Sequence, residues 1–299
     1  MARIAAAVAA LVLLVAAGGW WYFRSSTTRP TSAGAALTAM AVEAGGALPK
    51  PRAVIIVVEE NKSYEQIVDE PEHSPYLAAL IKEGALFTHS SGLAHPSQPN
   101  YFALFAGVIT RNGDTCPASG LSTTAPNLAS ELLDAHRHFR AYAEDLPAKG
   151  FRGCASGEYA RKHAPWTHFD NIPASVGVPF SYLKSYDELP DVAVIIPNLL
   201  DDMHSASRER GDTWLRGHVA PLIAWAKKHN SLVIITWDES SAPLSNHIPT
   251  IFVGPMVKPG RYDEPVDHYR VLRTVEELFR IRTHAGHAAE VSPIVGIWR

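Results

Sequence analysis

Three short runs of aliphatic and β-branched residues constrain this chain more than anything else in it. They are Ala53-Val54-Ile55-Ile56-Val57-Val58, Val192-Ala193-Val194-Ile195-Ile196 and Leu232-Val233-Ile234-Ile235-Thr236. A half-exposed strand alternates apolar and polar residues, so an unbroken run reads as a strand covered on both faces, as in a parallel sheet between helical layers. Each run stops at a polar cluster: Glu59-Glu60-Asn61-Lys62-Ser63, Pro197-Asn198 and Trp237-Asp238-Glu239. Helical periodicity occupies residues 76–83, 127–135, 214–228 and 269–279, and 250–253 reads as a further short strand. The alternation predicts an α/β fold with a central, mostly parallel sheet and helices on both faces. Such sheets bind ligands outside the carboxyl ends of their strands, where the three polar clusters would meet.

The clusters carry recognisable chemistry. Glu60 and Asn61 offer a carboxylate and an amide oxygen, hard donors suited to a divalent cation. Asp238 and Glu239 add two carboxylates, and packed together without a cation these acids would repel and raise one another's pKa. Helix capping or solvent exposure is the competing reading. His95-Pro96-Ser97-Gln98-Pro99-Asn100-Tyr101 leads into an apolar stretch closed by Gly107, which predicts a helix with Ser97 at its amino end. A serine there is either an N-cap or a nucleophile facing an anion, because free N–H groups and the helix dipole favour negative charge. Asp202 and His204 stand two apart, and Asn246-His247 precedes the strand at 250–253. Asp267-His268 reads equally as a cap and dipole partner for the last long helix.

Composition and the amino end narrow the setting. With 46% hydrophobic and 19% charged residues, the 299-residue chain does not fit extended disorder or coiled coil. A formal net charge of -3 advertises no polyanion-binding surface, so nucleic acid is not expected as the main partner. A monomer is expected. Residues 4–23 carry no charge between Arg3 and Arg24, and Trp20-Trp21-Tyr22 resembles an interfacial belt. The expected organisation is a signal anchor or signal peptide over 1–25, a flexible tether over 26–50 and a catalytic domain over 51–299. That places the body outside the cytoplasm, either membrane-anchored on the outer face of the inner membrane or secreted. In an oxidising compartment Cys116 and Cys154 are expected to form one disulfide, pinning a long, strand-poor connection between the Ser97 helix and the run at 192–196. That connection is expected to form the rim that selects substrate.

In this order, Glu60-Asn61-Lys62-Ser63-Tyr64, His95-Pro96-Ser97-Gln98-Pro99-Asn100-Tyr101, Pro197-Asn198 with Asp202-Met203-His204, and Thr236-Trp237-Asp238-Glu239 resemble the motifs of a known family. Asn246-His247-Ile248-Pro249-Thr250 with Val253-Gly254-Pro255, and Asp267-His268-Tyr269, complete the set over about residues 53–281. The family is the bacterial phosphoesterases, comprising acid phosphatases and phospholipases C within the alkaline phosphatase superfamily. The short secreted acid phosphatases, some acting on phosphoinositides, are the members resembled most. The resemblance implies that Ser97 is the nucleophile and that Glu60, Asn61, Asp238 and Glu239 hold one or two divalent metal cations. It places Asp202, His204 and His247 in the second half of the site, as a second metal position or as an acid and phosphate-binding group. Asn100 and His95 are implied on the substrate side. The expected activity is metal-dependent hydrolysis of a phosphate monoester through a phosphoserine, on a small ester or a phospholipid. A phospholipase C or other phosphodiesterase is the alternative. A membrane-anchored binding protein with a decayed site is a third reading, against which the intact Ser97, Glu60 and Asp238 stand.

Overall fold

The run at 53–58 forms β1 (Val54–Glu59) near the middle of an eight-stranded sheet. The computed structural model describes residues 48–242 and 244–299, so the expected membrane segment at 4–23 and nearly all of the expected tether lie outside the described residues. The other strands are β2 (Ala85–Phe87), β3 (Phe139–Ala143), β4 (Gly177–Pro179), β5 (Val192–Ile196), β6 (Leu232–Trp237), β7 (Thr250–Val253) and β8 (Gly260–Tyr262). Their order across the sheet is β8-β2-β7-β6-β1-β5-β3-β4. Only β7 runs against its neighbours; β6, β1, β5, β3 and β4 are parallel. The three apolar runs are thus the three adjacent central strands. Fully burying a Val or Ile is worth about 1.5–3 kcal/mol, and every residue of β1 is buried.

Helices cover both faces, and the pleat divides the core between them. Val54, Ile56 and Val58 pack in one apolar layer with α2 (Ser97–Ala106), α3 (Leu128–Asp134) and α5 (His268–Leu278). Ile55 and Val57 pack in the other with α1 (Pro75–Ile81) and α4 (Arg208–Lys228). Helix α4 begins six residues before the periodicity at 214–228 predicts. Its first turns are polar and carry no apolar rhythm, yet they are held because both oxygens of Asp212 accept the amino-end N–H groups of Tyr76 and Leu77 in α1, at 3.0 and 2.8 Å. No helix among the described residues is long and apolar enough to cross a membrane.

The connection from 108 to 191 departs from expectation. It contributes β3 and β4 to the main sheet, so it is not merely a rim. Both strands are short, and Arg140 and Pro179 interrupt any apolar run, which hides them from a reading based on periodicity. The disulfide between Cys116 and Cys154 is present, with Cα atoms 5.8 Å apart.

Register brings the strand ends level. Val54 faces Val192 on one side and Leu232 on the other, and Glu59 pairs with Trp237. Beyond the strands, Asp238 N–H donates to the Glu59 carbonyl at 3.0 Å and Glu60 N–H donates to the Asp202 carbonyl at 2.7 Å. The residues following β1, β5 and β6 are therefore stitched into one surface.

Candidate active site

Ser97 occupies the first turn of α2, whose N-cap position is taken by Pro96 in extended conformation with no side-chain cap. The serine hydroxyl thus does not cap the helix. It is buried and lies 3.0 Å from Glu60 Oε2 and 3.3 Å from Glu239 Oε1, where it donates to the carboxylates. Between the two readings left open by the sequence, the geometry excludes the cap. The helix ends at Gly107, in left-handed conformation, where an added Cβ would fall 2.0 Å from the Ala285 carbonyl oxygen.

Two carboxylates meet this hydroxyl and two more adjoin them: Asp202 and Asp238 both feel the Glu60 charge, and Glu60, Asp202, Asp238 and Glu239 are all buried. Asn61 stands beside them with positive φ, its backbone N–H donating to Asp238 Oδ1 at 3.1 Å. Lys62 ties the end of β1 to the Asp202 loop by donating to the Met203 carbonyl at 2.6 Å. Burial raises the Asp238 pKa well above the carboxylate range, and the neighbouring Glu60 and Glu239 charges add to the effect. Burial likewise raises Asp202, to about 6, and Glu239, with His95 opposing the shift at Glu239.

One group missing from the sequence expectations changes the balance. His163, buried, places Nε2 at 2.8 Å from Glu60 Oε1 and Nδ1 at 3.4 Å from Asp202 Oδ2. Its ring stacks on Tyr101, one turn along α2 from Ser97, with centroids 4.9 Å apart. Burial opposes the charged imidazolium, but Glu60 and Asp202 outweigh it and raise the pKa to about 9. For Glu60, burial pushes up and the His163 charge pulls down further, leaving a carboxylate. The contact to Glu60 is ionic, off hydrogen-bond alignment, so Glu60 Oε1 has no hydrogen-bond partner; neither do Asp202 Oδ2 and Asp238 Oδ2.

These orphaned buried oxygens test the expectation of a cation. Hard, anionic oxygen donors crowded in a buried site are what a divalent metal requires, and the donor set fits one. Among the described residues no three acids, histidines or cysteines already stand in ligating arrangement.

The remaining expected residues divide. His95 Nδ1 is 2.5 Å from Glu239 Oε2 and so belongs to the cluster. His204 lies at its rim, its N–H donating to Asp202 Oδ1 at 2.7 Å and its ring centroid 5.8 Å from that of His163. His247 does not join. Both ring nitrogens are engaged elsewhere, Nδ1 with Glu65 at 2.7 Å and Nε2 with the Thr88 carbonyl at 2.9 Å, and the ring stacks on Tyr64. Asn100 braces the loop before Ser97: its oxygen accepts the Leu93 and Ala94 N–H groups and one of its two amide N–H groups donates to the Ala94 carbonyl. His268 Nε2–H donates to the Asp238 backbone carbonyl at 2.6 Å, while Asp267 caps α5; the pair is structural. His163 is hidden from a reading by periodicity because the basic triplet at 161–163 sits in an aperiodic segment. The signal was the need of four gathered acids for an internal counter-charge.

Comparison with known proteins bears on the family and the fold. The phosphoesterase family model matches residues 69–282. A phosphatidylinositol-3-phosphatase of Mycobacterium tuberculosis is 44% identical over 261 residues, covering 85% of this chain and 85% of that protein. A probable acid phosphatase of Kluyveromyces lactis is 26% identical, over 78% of this chain and 60% of its own length. Among solved structures, an alkaline phosphatase superfamily protein of Vibrio parahaemolyticus superposes with a TM-score of 0.55 at 14% identity, over 79% of this chain and 67% of that one. The lipoteichoic acid synthase LtaP of Listeria monocytogenes gives 0.54 at 13% identity, over 83% and 79%. At such identities these two likenesses speak for the fold alone. With the match to most of its length, the chain is a member of the phosphoesterase family, a phosphatase built on the alkaline phosphatase superfamily fold.

Proposed function

We propose that the chain hydrolyses phosphate monoesters, phosphoinositides among them, through a phosphoserine at Ser97, and that it works outside the cytoplasm. The observation that carries the reading is the Ser97 hydroxyl, buried at a helix amino end and hydrogen-bonded to two carboxylates where it has no capping role. Glu239, whose pKa burial raises, lies 3.3 Å from the hydroxyl and is the base for its proton as the oxygen attacks phosphorus, whereas Glu60 is held low by His163. The Ser97 Oγ–P bond forms as the ester P–O bond breaks, and water then opens the phosphoserine to regenerate the hydroxyl and release phosphate. In the first turn of α2, Pro96 and Pro99 carry no N–H and the Gln98 N–H is held by Asp114 at 2.8 Å, so the Ser97 N–H and the helix dipole are what remains there to favour charge on the non-bridging oxygens. His204, half-exposed at the rim, is uncharged there, because burial lowers its pKa and its Nε2 faces the Lys162 ammonium at 3.2 Å, so the departing oxygen takes its proton from water.

Glu60, Asn61, Asp202, Asp238 and Glu239 would hold a divalent cation, whose contribution when bound is charge stabilisation at the transferring phosphoryl group. The relatives named as phosphatases support monoesters, and the name of the Mycobacterium tuberculosis relative supports a phosphoinositide. The uncharged segment at 4–23 and the Cys116–Cys154 disulfide support export, with a membrane as partner through that segment.

The test is a panel of p-nitrophenyl phosphate, its bis-ester and phosphatidylinositol 3-phosphate, with added divalent metal. Turnover of the monoesters is expected, and Ser97→Ala is expected to lower it by roughly 10³-fold or more while the fold persists. Near-parental activity in that variant rejects the covalent route, and a preference for the bis-ester rejects the monoesterase.

A further inference from the structure

Asp114 and Lys162 meet beside the nucleophile helix and have no part in the chemistry described above. Lys162 Nζ is 2.9 Å from Asp114 Oδ2 and 3.2 Å from His204 Nε2. The other oxygen, Asp114 Oδ1, accepts the Gln98 backbone N–H at 2.8 Å. That amide belongs to the first turn of α2, one residue from Ser97. A single carboxylate therefore satisfies both a first-turn amide and an ammonium at the edge of the catalytic cluster. Lys162 also adjoins His163, whose ring stands 2.8 Å from Glu60. The two side chains keep 27% and 20% of their exposure, so a ligand can reach them. Gly113 lies over Pro96, since a Cβ built on it would sit 3.5 Å from the proline ring. The Asp114 loop thus covers the approach to the amino end of the helix.

We propose that Lys162 and the Gln98 N–H are phosphoryl-binding groups of this site, and that Asp114 is a built-in anion that occupies them at rest and yields to the substrate phosphate. The inference rests on the phosphatase reading and deepens it. A phosphate monoester dianion carries more charge than a carboxylate and three oxygens to its two, and an ammonium beside a helix amino end selects for that. Charge is conserved in the exchange: one ion pair replaces another, and Asp114 turns to solvent. The same carboxylate competes with inorganic phosphate and so assists its release. The disulfide holds both halves of the device, because Cys116 follows Asp114 by two residues and Cys154 precedes Lys162 by eight. Arg161 N–H donates to the Cys154 carbonyl at 3.0 Å, fixing the segment that delivers the lysine.

Inhibition of p-nitrophenyl phosphate hydrolysis by inorganic phosphate, measured on the full-length chain at fixed pH and ionic strength, reads the exchange. Asp114→Asn keeps an oxygen for the Gln98 N–H but removes the competing charge. KM and the inhibition constant for phosphate are expected to fall together, about three- to tenfold. Lys162→Met is expected to raise both about tenfold or more, and Lys162→Arg to recover most of the loss. A merely structural tie would make the asparagine and methionine variants weaken binding alike, so the opposite signs are diagnostic. The proposal is overturned if Asp114→Asn weakens phosphate binding, or if either Asp114→Asn or Lys162→Met stays within about twofold of the parent. A parent protein that neither turns over the ester nor is inhibited by phosphate overturns the phosphatase reading, and this inference with it.

Discussion

The residue on which the site's electrostatics turn is His163. Four clustered buried acids cannot all be ionised without an internal counter-charge, and this imidazole is the group that reaches both Glu60 and Asp202. Removing one partner of a buried ion pair typically costs about 3–5 kcal/mol, because the other charge is stranded. His163→Asn is therefore expected to destabilise the protein by about 3 kcal/mol or more in urea unfolding, measured with chelator present. Adding Glu60→Gln to that variant should restore much of the loss, since the stranded charge is then gone. If the double variant is no more stable than the single one, the stabilisation by His163 comes from its packing on Tyr101 and not from its charge.

Between elements, a second set of buried acids lies where α3 meets α5, remote from any proposed cation. Glu131 of α3 has both carboxyl oxygens buried without a hydrogen-bond partner. Glu276 of α5 accepts the Ala285 N–H at 3.1 Å and approaches His284 Nδ1 at 2.8 Å. Burial, followed by repulsion from Glu276, raises Glu131 to about 9, and burial raises Glu276 to about 7. In the unfolded chain both would titrate near the ordinary glutamate value of about 4.3. Between that value and the raised ones the folded protein holds protons that the unfolded chain has released, so stability falls as pH rises. Burial lowers the pKa of His284, which works in the opposite direction around its own ordinary value. Urea unfolding at pH 5 and pH 8 is expected to show the parent losing stability on the alkaline side. Glu131→Gln should flatten that slope; an unchanged slope would mean the pair does not share its protons as described.

For the whole molecule, two constraints join distant parts of the chain. The first is the carboxylate cluster, assembled from the ends of β1 and β6 and the loop after β5. A cation that binds it only when folded raises stability by about 2.7 kcal/mol at a hundredfold excess over Kd. Added divalent metal should therefore raise the melting temperature and chelation should abolish activity, while Asp238→Asn and Glu60→Gln weaken metal binding and activity together. Loss of activity with unaltered calorimetric metal titration would show that these residues do not form the cage. The second is the Cys116–Cys154 bond, which spans 38 residues and is worth about 4 kcal/mol on the chain-entropy account. Reduction should lower stability by a few kcal/mol and change KM more than metal affinity, because it frees the Asp114 loop and none of the proposed metal ligands lies between the two cysteines. Metal content that falls in step with reduction would contradict this.

The sequence by itself determined the central sheet and the level of the site within it. Runs such as that of β1 have no stable place except between two helical layers, and acids that follow such runs are carried to the carboxyl edge by the parallel arrangement. The amino-end position of Ser97 was equally legible, since Gly107 closes the apolar stretch behind it. What the tertiary structure alone decided is which side chains serve as partners there. His247 and His163 are both histidines among polar neighbours, yet one is turned away by Glu65 and Thr88 and the other is buried against Glu60. Asn100 likewise stands in the nucleophile motif and spends its hydrogen bonds on the loop at 93–94. Periodicity records which face of an element is buried, whereas charge pairing across more than a hundred residues depends on how the aperiodic segment after Cys154 is laid over the strand ends, and no local pattern encodes that path.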